Sequence, residues 1–491
     1  CAPFGRLCDR SFHYKQKNPA APRAWPQGII MASISPSQPE TLYEKHVKIR
    51  PRPVKGRFAS LRKTALLVLL GIFHVLPFFQ WNGRQAIFFD LPHRRFYIFG
   101  LNIWPQDFIL LTFILLGLAL LLFFATALLG RVWCGYACPH TVYTEVFLWI
   151  EQKIEGNRSE QLKLARKPWR GEKGRKRVLK YSLWVAVAMS AGIGFVGYFV
   201  PIRQLIPDFF TLHAGVDTYL WVALYGSFCY LQAGIVREQF CKYVCPYARF
   251  QGAMFDQDTL IIAYDPQRGE PRRRLKKQDR DNPDALGFCV DCTMCVQVCP
   301  TGIDIRDGLQ LECIACAACI DACDNMMDQI KAPRGLIRYT STNRLAGKKT
   351  KLLRPKTFAY GAVLLAAFGL FVISIAGKGD LDVNILRDRN VLARKISGGR
   401  IQNIYTIKVL NKTENPRQFT LDVAGAPGAE IDGKKYFSVE PGAVYETVLR
   451  VNIPRKSLGS DSSINIDFIV TPQDNPADAH HQNSKFLAPN K

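Results

Sequence analysis

Five stretches of the chain, residues 64–81, 108–129, 181–200, 219–236 and 358–376, are apolar for about the twenty residues that an α-helix needs to cross a bilayer. Backbone amides find no water in hydrocarbon, so stretches of this length are expected to become helices that satisfy their own hydrogen bonds. Five membrane-spanning helices are predicted, the first interrupted by His74 and Pro77 and the fourth carrying Gln232. Lys and Arg number 65 against 40 Asp and Glu, a formal charge of +25. Such an excess suggests nucleic acid or a membrane surface, and its distribution decides between them. Residues 131–180 carry twelve Lys and Arg and residues 237–356 carry twenty, whereas the loop 82–107 has only Arg84, Arg94 and Arg95 and the loop 201–218 only Arg203. By the positive-inside rule the N-terminus and both basic segments are cytoplasmic, and the part after Gly377 lies outside. The basic run Arg272 to Lys277 then faces lipid headgroups, and no nucleic-acid role is needed. Trp81, Trp104, Trp133, Trp184 and Trp221 fall near the ends of the apolar stretches, as an interfacial belt would place them.

The fifteen cysteines are bunched and none follows Cys323, which argues against a disulfide scaffold. Residues 1–30 are Pro-rich without an apolar signal region and read as lying upstream of a native start at Met31, so Cys1 and Cys8 carry no function. The strongest signal is CVDCTMCVQVCP, with Cys289, Cys292, Cys295 and Cys299 before Pro300, followed by CIACAACIDAC, with Cys313, Cys316, Cys319 and Cys323 at the same spacing. Two such runs form the bacterial two-cluster ferredoxin pattern, in which the fourth cysteine of each run serves the other cluster. One [4Fe-4S] cluster takes Cys289, Cys292, Cys295 and Cys323, and the other takes Cys313, Cys316, Cys319 and Cys299. Zinc also binds CxxC pairs, but here each run has a third and fourth cysteine in register, and Ala315, Ala317 and Ala318 leave room for a cluster. Asp324 in place of a second proline departs from the compact pattern, as do the thirteen residues between Cys299 and Cys313.

A second pair of motifs, WCGYACPH and FCKYVCPY, sets Cys134 and Cys138 past the second helix and Cys241 and Cys245 past the fourth. If each helix continued for another turn, the two cysteines would share one face and the proline would end the helix. The repetition reads as two copies of a hairpin unit whose pseudo-twofold relation gathers four soft thiolates, ligands suited to Cu(I), zinc or iron–sulfur centres. His140 is an additional ligand candidate. His74 is an intramembrane ionisable group with a packing alternative, and Cys229 reads as core. No GxGxxG fingerprint and no Walker loop is present, so electrons come from a soluble donor or from quinol.

After residue 377 the pattern changes to alternating runs such as IQNIYTIKVL and INIDFIVT between Asn-, Pro- and Gly-rich turns, which predicts a β-sandwich of about seven strands. It has no cysteine and no group of metal-type residues apart from His480 and His481, read as part of a tail; its expected role is interaction. The sequon Asn411-Lys412-Thr413 reads as chance.

Taken together, residues 43–470 resemble the cytochrome c oxidase accessory proteins of the CcoG/FixG type, and each half is also similar to membrane ferredoxins of nitrate and nitrous oxide respiration. The resemblance implies a bacterial inner-membrane protein with an immunoglobulin-like periplasmic domain. It also implies a part in assembling a cbb-type haem-copper oxidase by reducing Cu(II) to Cu(I), with oxidase subunits or copper-delivery proteins as partners. Cys134, Cys138, Cys241 and Cys245 then become the copper-facing or redox site. The expected fold is a membrane α-helical bundle with a cytoplasmic double-cluster ferredoxin domain and a C-terminal immunoglobulin-like β-sandwich. The expected divisions are a leader over residues 1–63, the four-helix membrane domain over 64–250, the ferredoxin-like domain over 251–356, the fifth helix over 357–377 and the external domain over 378–491. Two other functions remain open: a quinol dehydrogenase subunit feeding a periplasmic reductase, and a scaffold whose clusters are structural.

Overall fold

The computed structural model describes residues 48–272, 287–351, 353–377, 379–388, 393–413, 415–458 and 462–488. The leader with Cys1 and Cys8, and all of the basic run 272–277 except Arg272, lie outside the described residues. Among the described residues five helices are long and apolar enough to cross a membrane. They are Arg57–Val75, Phe108–Leu129, Glu172–Val196, Val216–Tyr230 with its π-helical continuation Leu231–Val236, and Pro355–Ala376.

Two of them begin earlier than their hydropathy suggests, and in both cases a partner elsewhere supplies the reason. The first starts at Arg57 because the Phe58 and Ala59 amides donate to the Asp321 carboxylate at 3.1 and 2.7 Å, which satisfies orphan donors at the positive end of the helix. The third runs back to Glu172 through Lys173, Arg177 and Lys180, all buried. Their partners include Glu151 and Glu155 on Pro139–Glu155, a helix that hydropathy alone does not reveal. The third and fourth helices meet at glycines: a Cβ on Gly192 would sit 2.5 Å from the Val222 carbonyl oxygen, and one on Gly226 would sit 3.0 Å from that of Ala188. Small residues let the two backbones approach this closely.

Between the first and second helices lies a three-stranded antiparallel sheet, Ile87–Asp90, Arg95–Ile98 and Leu101–Ile103. It serves as the dock for the C-terminal domain. Lys412 Nζ reaches Asp107 Oδ1 at 3.0 Å with both side chains largely buried, and Arg95 donates to the Gly442 carbonyl while lying 4.6 Å over the Trp104 ring.

The C-terminal domain is an immunoglobulin-like sandwich of two antiparallel sheets. In one, Glu430–Asp432, Val444–Pro454, Arg400–Asn411 and Leu381–Arg387 pair in that order, with Arg394–Ile396 also on Arg400–Asn411. In the other the order is Tyr436–Val439, Arg417–Ala424, Ser463–Pro472 and His480–Leu487. Alternation drives the fold, since Ile401, Tyr405, Ile407 and Val409 point inward against Phe419, Leu421, Phe468 and Phe486. His480 and His481, expected in a tail, instead open the last strand, where Phe486 is buried and His481 pairs with Asp467 at 2.7 Å. The Asn411 side chain is fully buried and donates to the Asn415 and Val439 carbonyls, which removes it as a glycan acceptor.

The fifth helix joins the two extramembrane domains, so the cluster domain and the sandwich lie at opposite ends of the bundle. The cluster domain is closed by the strand pair Ile261–Tyr264 and Ile337–Thr340 over a core that includes Ile262, Ile305, Ile320, Met327 and Leu336.

Candidate iron–sulfur and thiol centres

In each ferredoxin run the backbone bends at the middle cysteine. Asp291 and Thr293 flank Cys292 with φ of 48° and 55°, and Ala315 and Ala317 flank Cys316 with 52° and 59°. Four non-glycine residues in the left-handed region cost about 1 kcal/mol or more each, a strain that persists where surrounding structure requires it. The bends turn backbone amides toward sulfur: those of Met294, Ala315 and Ala318 donate to Cys292, Cys313 and Cys316. Such concavities of N–H groups suit an anionic cluster.

Two cavities result. One is walled by Cys289, Cys292, Cys295 and Cys323 among mostly apolar residues. The other is walled by Cys299, Cys313, Cys316 and Cys319, with Cys295 shared between the two. Among the described residues no group of three or more His, Cys, Asp or Glu is placed to hold a single ion. The sulfurs ring empty space instead of meeting at a point, which fits a cubane and not a tetrahedral zinc site. The chain carries two [4Fe-4S] clusters, and these cavities fit them. Burial pushes the Cys295, Cys313 and Cys323 thiols up to about 12 and Cys316 to about 11, so each stays a neutral thiol until a cation takes the proton's place.

The CxxxCP motifs take a different shape from the expected continuous helix. The second spanning helix ends at Leu129 before Gly130, whose φ is 60°, and Cys134 sits on a separate short helix, Val132–Tyr136. Cys138 is the extended residue before Pro139, which opens the helix Pro139–Glu155; likewise Cys245 is extended before Pro246, the start of Pro246–Met254. Proline restricts its predecessor to extended backbone and is well suited to the first turn of a helix, so each motif straddles a helix start and the two thiols do not share one helical face. Cys241 lies on a π-helical turn, Phe240–Val244, reached through Arg237, itself at φ 46°.

The four thiols lie within electrostatic reach of one another, although among the described residues no three of them are placed to hold a single ion. Desolvation is the main cause that raises Cys241 to about 12 and Cys134 to about 11, and Cys138 and Cys245 act electrostatically on both. Cys134 donates to Gln251 Oε1 at 3.3 Å. His140 is buried with Nδ1 unpartnered and its ring stacked on Phe240, and desolvation holds its imidazole down at about 4; it lines a cavity shared with Cys241. The other singled-out residues are structural. His74 bonds the Leu70 carbonyl of its own helix at 3.0 Å, and Cys229 is core beside Tyr143 and Trp184.

Charge buried between helices fixes this arrangement and carried no signal in the hydropathy. Lys180 is fully buried and reaches Glu155 at 2.6 Å and Glu151 at 3.3 Å, while Arg237 reaches Glu151 at 2.6 Å; both cations lie over the Trp184 ring.

The thiol group abuts the second ferredoxin run. A Cβ on Gly135 would lie 2.8–2.9 Å from the Ile314 and Ala315 carbonyl oxygens and Cys316 Cα, so only glycine admits this approach. Arg131 donates to the Leu311 and Ala248 carbonyls, Arg62 to the Cys316 carbonyl at 2.5 Å, and Tyr339 to that of Ala315 at 2.6 Å. Cys134 and Cys241 pack against the apolar group that contains Ile314 and Cys316. Of the two ferredoxin cavities, the one walled by Cys316 therefore adjoins the CxxxCP thiols.

Three family models match the chain: "4Fe-4S binding domain" over residues 110–157, "4Fe-4S dicluster domain" over 236–342 and "IG-like fold at C-terminal of FixG" over 371–489. The nitrogen fixation protein FixG of Rhizobium meliloti is 36% identical over 84% of this chain and 88% of its own length. Protein RdxA of Cereibacter sphaeroides is 37% identical over 90% of this chain and 97% of its own. A crystal structure of a FixG-related protein from Vibrio parahaemolyticus aligns with 22% of the chain and 97% of its own length, at 30% identity and a TM-score of 0.21.

Proposed function

This chain belongs to the FixG family of membrane iron–sulfur electron-transfer proteins, and from that premise we propose that it delivers single electrons to Cu(II) at Cys134, Cys138, Cys241 and Cys245. The Cu(I) it releases then serves assembly of a cbb-type oxidase through oxidase subunits or copper-delivery proteins. In this reading Cys289, Cys292, Cys295 and Cys323 hold one cluster, and Cys299, Cys313, Cys316 and Cys319 hold the other. The excess of Lys and Arg in residues 131–180 and 237–356 supports a cytoplasmic cluster domain and a periplasmic sandwich by the positive-inside rule.

The observation that carries the proposal is the packing of Cys134 and Cys241 against the segment that holds Ile314 and Cys316. When bound, the clusters supply one-electron chemistry, which matches Cu(II) to Cu(I). The residues around the thiols do the rest. Desolvated thiols release their protons only in exchange for a cation, soft sulfur prefers Cu(I) as the product, and the cysteine-free outer domain offers no outward redox route.

The test is anaerobic. The purified protein is reduced, freed of reductant and given Cu(II), and cluster oxidation is followed together with capture of Cu(I) by a chromogenic chelator. Stoichiometric Cu(I) that vanishes when all four CxxxCP cysteines become Ser supports the reading. Clusters that stay reduced toward copper refute it.

A further inference from the structure

A cavity of about 550 Å³ lies where the first spanning helix, the helix Pro139–Glu155 and the cluster domain meet. Its volume falls in the range of small-molecule sites. One end is apolar and follows the first helix through Leu66 to Leu70, next to Leu67 and Trp149, both more than half exposed. The other end is polar and redox-adjacent. Arg62 and Glu145 face each other there at 3.4 Å, and Cys316 forms part of the wall. From Arg62 to Leu70 is about 12 Å along a helix, so the cavity reaches from headgroup depth into hydrocarbon.

We propose that this cavity binds a lipid-soluble quinol, the donor whose electrons enter the protein at the cluster beside Cys316. The inference rests on the cluster assignment above and supplies the electron source that assignment lacks. An isoprenoid tail suits the apolar exit, and the ring suits the polar end. On oxidation each quinol O–H bond breaks and each C–O becomes C=O. Two electrons leave, one to each cluster, and two protons leave, the first to the Glu145 carboxylate and both finally to water. An anionic phospholipid is the competing occupant, drawn by Arg62 and Lys63, but Glu145 opposes a phosphate at the polar end and a lipid has no use for a cluster ligand in its wall.

The test uses the full, cluster-loaded chain in nanodiscs. A photoreactive short-chain quinone is cross-linked and mapped by mass spectrometry, and cluster bleaching by a short-chain benzoquinol is measured beside bleaching by dithionite. Labelling should fall on Arg57–Val75 and Pro139–Glu155 and be displaced by benzoquinone. Leu66→Trp, which fills the cavity, should lose labelling and quinol-driven bleaching while dithionite still bleaches its clusters. Glu145→Gln should keep labelling and slow quinol-driven bleaching about 10²-fold, the loss expected of a removed proton acceptor. Labelling elsewhere, displacement by phospholipid but not benzoquinone, or quinol-driven bleaching unchanged in both variants overturns the proposal. If dithionite-reduced clusters still reduce Cu(II) while quinol fails to bleach them, the quinol site falls and the copper reading stands; the reverse result separates them in the other direction.

Discussion

The chain uses cysteine in two ways, and the two regions differ less in residue type than in what the backbone does around the sulfur. In the cluster domain, paired left-handed bends at Asp291, Thr293, Ala315 and Ala317 open cavities ringed by thiols and lined with amides. At the CxxxCP motifs the thiols sit at or near helix starts, desolvated and within electrostatic reach of one another, and buried ion pairs hold the helix Pro139–Glu155 in place. In the proposed reading the first arrangement holds a resident cluster and the second meets a passing ion.

The largest expected effect breaks the first region alone. Cys316→Ser should cost the chain at least one cluster, about half its iron, and leave residues 287–351 open to protease, because metal binding there is also folding energy; iron analysis with limited proteolysis reads both. Next, Glu151→Ala takes the carboxylate from buried Arg237 and leaves Lys180 with Glu155 alone, and should destabilise the bundle by about 3–5 kcal/mol, seen in thermal unfolding in detergent, while cluster content per folded chain stays unchanged.

Much of this architecture can be read from the sequence, and the parts that cannot share a physical cause. Hydropathy finds the five helices and period-two alternation finds the sandwich because each element signals its own burial. The cysteine spacing finds the two ferredoxin runs because ligand spacing is local. The helix Pro139–Glu155 escapes notice since its burial depends on Lys180 and Arg237, which lie 25 or more positions from its carboxylates. The expected CxxxC face fails for a local reason: proline starts a helix more readily than it ends one. Gly135, an unspecified position inside WCGYACPH, and Arg62 and Arg131, outside any motif, give no signal of their own, and their importance emerges only once the segment from Leu311 to Cys316 lies beside them.

Two smaller effects sharpen the comparison within the thiol region. With its thiol held at about 12, Cys241 in the metal-free protein should alkylate at pH 8 about 10³-fold slower than a thiol at the ordinary value. Its rate should climb about tenfold per pH unit until that pKa is passed; mass-resolved iodoacetamide labelling measures this. Gly135→Ala pushes the CxxxCP segment off the Ile314–Cys316 backbone. It should leave iron content intact and slow electron delivery to copper, as stopped-flow mixing would record.

The most direct test compares iron content and copper reduction in the wild type and in the variant with Cys134, Cys138, Cys241 and Cys245 all changed to Ser. The account predicts about eight irons per chain in both, two clusters of four, with Cu(I) produced only by the wild type. A loss of about four irons in the variant would mean that the CxxxCP thiols hold a resident cluster of their own, which contradicts the division between cage and landing site.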